Sequence, residues 1–500
     1  MKIKYIGLVA IFAGFISCED AVLETQDGAE EMTYSELNTS AVDFSNYIAV
    51  GASFTAGYTD GALFAAGQEN SFPNILAEKM NANDGTFAQP LVDDNIGGLV
   101  LGTMVIAEPR LYFNGAGPER LADIPTTQAT TPADGPHHNL GVPGAKSTHL
   151  LFDGLGNAAN LATETANPYF VRIASAPDAT ILGDAVASAP TFFTLSEIGG
   201  NDVLGYATTG GDGTNPITPP EGVPGVGFNQ TFEYIVEMLT SGGAKGVVAN
   251  VPYVSSLPHF TAVPYNPVPL EAANAAAVNQ GFAAYNEGIQ QALAALKDAG
   301  LFTEEEAVRR TINFAEGQNA VVIVDEDLTD LGAINPAFAE LPKYRQVTSQ
   351  DLLLLPSSSF IGSLVDDNAQ LINGVTVPLE DKWVLTPEEQ EALKTATDAY
   401  NIKITEVATA KGLALVDLNG ILQEAATTGV EFDNFTLTTD LVFGGLVSLD
   451  GIHLTARGYA FMANKFLEAI DNAYNTNFVE SNTLAKAVNY PTNYPEKLPE

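Results

Sequence analysis

Among the five histidines in this 500-residue chain, His453 has a carboxylate spaced to orient it. His453 follows Asp450 by three residues, on a loop tightened by Gly451. That spacing folds the carboxylate back onto one ring nitrogen and leaves the other to take up a proton. A histidine held in this way is a general base that needs a hydroxyl. Ser53 offers one, in the stretch Val50-Gly-Ala-Ser-Phe-Thr-Ala-Gly57, where apolar residues 47–50 run into a turn of small residues. A strand that delivers a serine to a glycine-flanked turn presents the hydroxyl at the end of a sheet. Taken singly, each residue also has an ordinary reading. Ser53 fits any strand-to-helix turn, Asp450 a turn or helix start, and His453 a satisfied surface histidine. His137, His138, His149 and His259 complete the set.

Elements must hold these residues at one place. The spacing predicts a helix over 71–80, with Ser71 as cap and Pro73 in its first turn. Residues 139–148 form a second glycine turn, leading into a short helix. Residues 189–198 read as a buried strand ending in Gly199-Gly-Asn-Asp202, and 246–251 as another. Residues 271–299 form a long alanine-rich helix that stops at Gly300. Thr386-Pro-Glu-Glu389 is a capping box for a helix ending at Gly412. The last strand is expected at 413–418 and the last helix from about 455. Strands alternating with helices predict a mostly parallel sheet covered on both faces, a three-layer α/β/α sandwich. In such a sheet the carboxyl ends of the strands share one edge, where sites form. No composition break divides the chain. We read residues 43–475 as one enlarged domain with insertions near 84–136, 205–228 and 300–380, and 476–500 as a polar tail.

Four short blocks in order carry a resemblance to a known family. They are Gly51-Ala-Ser53 with Gly57, Gly144, Gly199-Gly-Asn-Asp202, and Asp450 with His453. In this order they resemble the SGNH (GDSL-type) hydrolases, a family with a flavodoxin-like α/β/α fold. Ala52 stands where that family carries an aspartate. The resemblance implies a serine esterase or lipase acting through an acyl-enzyme. Ser53 would be the nucleophile, His453 the base and Asp450 the acid that orients it. The backbone N–H groups of Ser53 and Gly144, with the Asn201 side chain, would form the oxyanion hole. Asp202 is expected to pin its loop rather than react. An O-acetyl esterase acting on polysaccharide is the alternative within enzymes. A non-catalytic glycan-binding lipoprotein is the alternative outside them, weakened by the lone Trp383.

Composition limits the partners. The chain has 61 acidic and 21 basic residues, a formal net charge of -40. Clustered Lys and Arg, which nucleic acid and anionic lipid heads require, are missing from such a balance. With 46% hydrophobic residues the chain can bury a large core. Residues 1–17 combine Lys2 and Lys4 with an apolar run too short to span a bilayer, the pattern of a secretory signal. The run ends at Cys18, the only cysteine, in a setting that resembles a bacterial lipobox. A lipidated Cys18 with a linker to residue 42 would tether an exported protein to a membrane, outer membrane by expectation, through acyl chains alone. No cofactor is expected. No metal is expected either: the chain has no His-x-x-x-His and no complete calcium loop. The acidic stretch Asp325-Glu-Asp327 with Asp330 has the donors for calcium but reads better as a solvated loop, and Leu352 to Leu355 reads as a core segment rather than the lining of an acyl pocket or lid.

Overall fold

The computed structural model describes residues 34–498. The leader, Cys18 and most of the linker lie outside the described residues. The fold is mixed α/β around a five-stranded sheet, all of whose pairings are parallel. Its strands are β1 (Tyr47–Gly51), β2 (Asn139–Gly141), β3 (Phe192–Leu195), β4 (Lys245–Ala249) and β5 (Ala414–Val416). The spatial order is β5-β4-β3-β1-β2. Strand order therefore reverses at β1, and crevices form at such switch points, beyond the carboxyl ends of the strands. Every residue of β1 and β3 is buried, as expected of strands covered on both faces.

Two helices complete the turns that follow strands β1 and β3: α1 (Ser53–Ala56) and α3 (Gly200–Thr208). Between them in sequence lies α2 (Phe72–Met80). Ser71 precedes α2 as expected, but its hydroxyl is hydrogen-bonded to the Gln89 side chain rather than capping the helix. Later come α4 (Phe228–Thr240), α5 (Ala272–Leu296), α6 (Pro387–Lys411), α7 (Leu418–Thr427) and α8 (Ala456–Tyr474). The capping box of α6 forms, with Thr386 and Glu389 each bonded to the other's backbone N–H. Aromatic contacts pair the helices. Phe72 of α2 meets Phe466 of α8 at 4.9 Å between ring centres, and Phe228 of α4 stacks on Tyr400 of α6 at 4.0 Å.

Beyond the Ser71 cap, the structure departs from the sequence reading in four places. Leu418 does not end β5: Asp417 caps α7 through the Gly420 N–H, and the helix starts at Leu418. Helix α5 does not belong to the sheet's core. Phe282 packs with Ile312, Phe314 and Val321–Ile323 in a second hydrophobic cluster, and Ile289 in a smaller one. The added body thus begins before residue 300. Residues 475–498 are no loose tail. Phe478 and Tyr494 are buried, and the buried Arg110 donates to the carbonyls of Pro495 and Glu496. The Asp325 loop is not uniformly solvated, because Asp325 is buried against Arg345, which also forks onto Asp351 at 2.6 and 2.9 Å. Leu353 and Leu354 are core residues, as read. No helix among the described residues is long and apolar enough to cross a membrane.

Candidate active site

Close packing over the sheet fixes the turn that carries Ser53. A Cβ on Gly51 would sit 2.0 Å from the Thr55 hydroxyl oxygen, and one on Gly141 would sit 2.3 Å from the Ala56 nitrogen. Glycine at both positions lets α1 lie against β1 and β2. Gly57 then ends α1 at φ +81°, a conformation that costs other residues about 1–2 kcal/mol. Ser53 is the first residue of α1, so its N–H has no acceptor within the helix.

His453 reaches this turn because two segments far apart in sequence are laced together. The Tyr459 hydroxyl donates to the Tyr58 carbonyl at 2.5 Å, and the Thr59 hydroxyl to the Leu454 carbonyl at 2.8 Å. The His453 ring packs on Tyr58 at 4.6 Å and meets Phe54 edge-on at 5.8 Å. Asp450 faces the ring as its spacing predicts, with His453 Nδ1 2.8 Å from Oδ2. The same oxygen accepts the Gly61 N–H at 2.7 Å. Oδ1 accepts the N–H groups of Ile452 and His453, both at 2.8 Å, and the Ser448 hydroxyl at 3.1 Å. Burial alone would raise this carboxyl. The neighbouring imidazole and its hydrogen bonds outweigh that and hold it well below the usual carboxylate range. The result is a fixed anion that fixes the ring and leaves Nε2 as the reactive nitrogen. Gly451 allows the loop to turn at φ +76°, with the His259 backbone so close that a Cβ would lie 2.8 Å from its nitrogen.

The other predicted residues are brought together in part. The Asn201 amide donates to the Ala145 carbonyl at 2.9 Å, which uses one of its two hydrogens. Asp202 is fully buried and takes both the N–H and hydroxyl of Ser147, at 2.8 and 2.6 Å. It does pin a loop, and the loop is the one that carries Gly144. Gly144 itself is exposed, at φ +77°, with nothing within 4 Å of the position a Cβ would take. Its positive φ, rather than crowding by the protein, is what calls for glycine. Ser53 and Asn201 line one cavity of about 90 Å³, whose other walls are almost wholly apolar: Phe54, Leu204, Val254, Ile421, Phe461 and Met462 are among them. Neither Gly144 nor His453 lines it, though Ile452 and Leu454 on either side of the histidine do. Of the other histidines, His138 and His149 accept backbone N–H groups through Nδ1 and serve local structure.

Sequence reasoning missed Glu197. It stands just past β3 with φ +48° and lines the same cavity. Oε1 accepts the N–H groups of Ala52 and Thr55, at 2.5 and 3.0 Å, so it clamps the turn on both sides of Ser53. Oε2 is buried with no hydrogen-bond partner. Burial pushes this carboxyl up to about 7, against the two amides, which pull it down. The only local signal was an acid at the end of an otherwise apolar strand, two residues before Gly199. Comparisons with protein-family models, with curated proteins and with solved structures find no match. The function must therefore be argued from this geometry.

Proposed function

We propose that the chain is a serine ester hydrolase of the SGNH type, working through Ser53, His453 and Asp450. The observation that carries the reading is the Asp450–His453 pair at 2.8 Å, packed on the turn that holds Ser53. His453 Nε2 takes the Ser53 proton as Oγ attacks an ester carbonyl. The imidazolium that forms is stabilised by the anionic Asp450 and returns the proton to the departing alkoxide. Water then repeats the sequence on the acyl-enzyme. The N–H groups of Ser53 and Gly144 and the remaining Asn201 hydrogen are the donors for the oxyanion.

The strand order and the helix pairs α2–α8 and α4–α6 favour a three-layer α/β/α arrangement, one pair on each face. Glu197 removes the main objection to the family reading. The acid absent at Ala52 has a counterpart arriving from β3, already bonded to the Ala52 N–H. The apolar cavity favours acyl-chain esters over O-acetyl groups. It is several times the ~10–15 Å³ that one water needs, and its lining offers an acetyl group little to bind. The sequence pattern of residues 1–18 supports an exported enzyme anchored by lipid at Cys18, with an ester as its expected partner.

A fluorophosphonate probe should label Ser53, and Ser53→Ala should lose both labelling and ester hydrolysis. Hydrolysis across a series of p-nitrophenyl esters should peak above acetyl, and Met462→Trp should shift the peak to shorter chains. Full activity in the Ser53 variant would sink the assignment. Activity on acetyl alone would transfer it to O-acetyl groups on polysaccharide. No labelling would favour a non-catalytic lipoprotein that binds glycans.

A further inference from the structure

Far along the chain, three carboxylates converge without a cation. Glu326 lies in the loop after the strand Val322–Val324, Asp381 in the turn before α6, and Glu389 in the first turn of α6. One oxygen from each lies within 4.8 Å of the others. Among the described residues no Lys or Arg bridges any of the three: Lys382 pairs with Glu380, and Arg309 with Asp325 and Glu388.

Glu389 makes the cluster more than a patch of surface acid. Its residue is 3% exposed. Oε2 completes the capping box by accepting the Thr386 N–H, and Oε1 is buried with no partner. Asp381 Oδ1 is buried and unpartnered as well. The backbone has been shaped around them. At Gly211 a Cβ would lie 2.0 Å from Glu389 Oε1, and at Gly210 one would lie 2.3 Å from the Asp381 carbonyl oxygen. Burial and mutual repulsion push the Asp381 and Glu389 carboxyls up, and Asp212 and Asp325 add negative potential at Asp381. Carboxyls gathered this closely are held together either by shared protons or by a cation.

We propose that Glu326, Asp381 and Glu389 bind one Ca²⁺ ion. The donors are all oxygen, the choice of a hard cation. Oxygens that lie within 4.8 Å of one another can share one ion at the ~2.3–2.6 Å bonds of Ca²⁺, whose flexible coordination suits three carboxylates from separate turns better than the strict octahedron of Mg²⁺. Three carboxylates can supply up to six oxygens, and the exposed side of Glu326 admits water to complete the shell. The ion would tie the added body to α6 and to the Gly210–Gly211 turn. That turn follows α3, the helix whose first turn carries Asn201. The site thus acts on the stability of the frame and takes no part in ester chemistry.

Terbium tests this directly. Tyr206, whose phenol is pushed up to about 12 by burial and by these same carboxylates, and Trp383, two residues from Asp381, would sensitise Tb³⁺ emission. Purified protein should give sensitised Tb³⁺ emission that Ca²⁺ displaces. Millimolar Ca²⁺ should raise Tm by ~5 °C, reversibly with EDTA. Glu326→Gln/Asp381→Asn keeps the Glu389 cap and should abolish both responses, while its metal-free Tm stays at or above that of the unmodified protein. Glu326→Gln alone, at an exposed position, should weaken Tb³⁺ binding at least tenfold. Two results would overturn the proposal. One is an unmodified protein with neither Tb³⁺ emission nor a Ca²⁺-dependent Tm, which would mean shared protons hold the carboxyls together. The other is variants that respond as the unmodified protein does.

Discussion

Replacing Glu197 by glutamine separates its hydrogen bonds from its charge. The amide keeps a carbonyl oxygen where Oε1 accepts the Ala52 and Thr55 N–H groups, and it stays neutral at every pH. The wild-type carboxyl rises from 4.5 to about 7 on folding. At ~1.36 kcal/mol per pH unit, the ionised form is disfavoured in the folded chain by ~3 kcal/mol. The sign follows from proton binding: a folded state that holds the proton more tightly is relatively more stable when that proton is present. The contribution is therefore intact below the unfolded value near 4.5. It declines as pH rises, and levels off above about 7. Glutamine has no such dependence. Unfolding free energies from urea titrations between pH 4.5 and 8.5 should show Glu197→Gln gaining on wild type by ~3 kcal/mol across that range. Taking the difference cancels every other group that titrates. Glu197→Ala is the contrasting variant. It leaves two buried N–H groups unpaired at ~1–3 kcal/mol each and should be destabilised at all pH values. A Glu197→Gln curve that runs parallel to wild type would refute the reasoning, because the carboxyl would then not be perturbed by its burial.

Asn201→Ala removes a donor proposed for the oxyanion and leaves the Asp202 latch on Ser147 in place. We expect kcat for ester hydrolysis to fall by ~10²–10³ with little change in KM or Tm. At Gly451, alanine must adopt φ +76° and bring a Cβ within 2.8 Å of the His259 nitrogen. Gly451→Ala should cost at least ~1–2 kcal/mol in urea unfolding and lower kcat by displacing Asp450 and His453.

The parts of this molecule that were legible in the sequence are those governed by neighbours in the chain. Residues 47–50, 192–195 and 246–249 are near-continuous apolar runs, broken only by Thr194, and each falls in an interior strand of the sheet. The Asp450–His453 contact spans three residues and lies within a local window, but Asp134 and His137 share that spacing and His137 Nδ1 has no partner, so it was the set of four blocks that singled out the right pair. The capping box at Thr386 spans three as well. What escaped depends on contacts that no local window contains. Glu197 meets Ala52 across 145 residues, and only the pairing of β1 with β3 makes them neighbours. The three carboxylates come from separate turns, and around Asp325 the sequence shows only a run of acid. The first residue of α7 was read into β5 because Leu413 to Leu418 is apolar but for Asp417, the single residue whose cap divides strand from helix. The segment after residue 475 reads as polar because its buried anchors, Phe478 and Tyr494, are isolated among polar neighbours.

One bond described above bears on how the molecule comes to be active. The Gly61 N–H and the Asp450 carboxylate it holds are 389 residues apart. Closing a contact over so long a loop is entropically slow, and chains with many such contacts fold late and through intermediates. The serine turn is made early in synthesis, whereas the histidine and its acid are among the last parts to arrive. If Ser53 is the nucleophile proposed above, a nascent chain carries it with no base beside it. Under that proposal, competence at this site becomes a readout of completed folding, reached when the two ends of the domain meet.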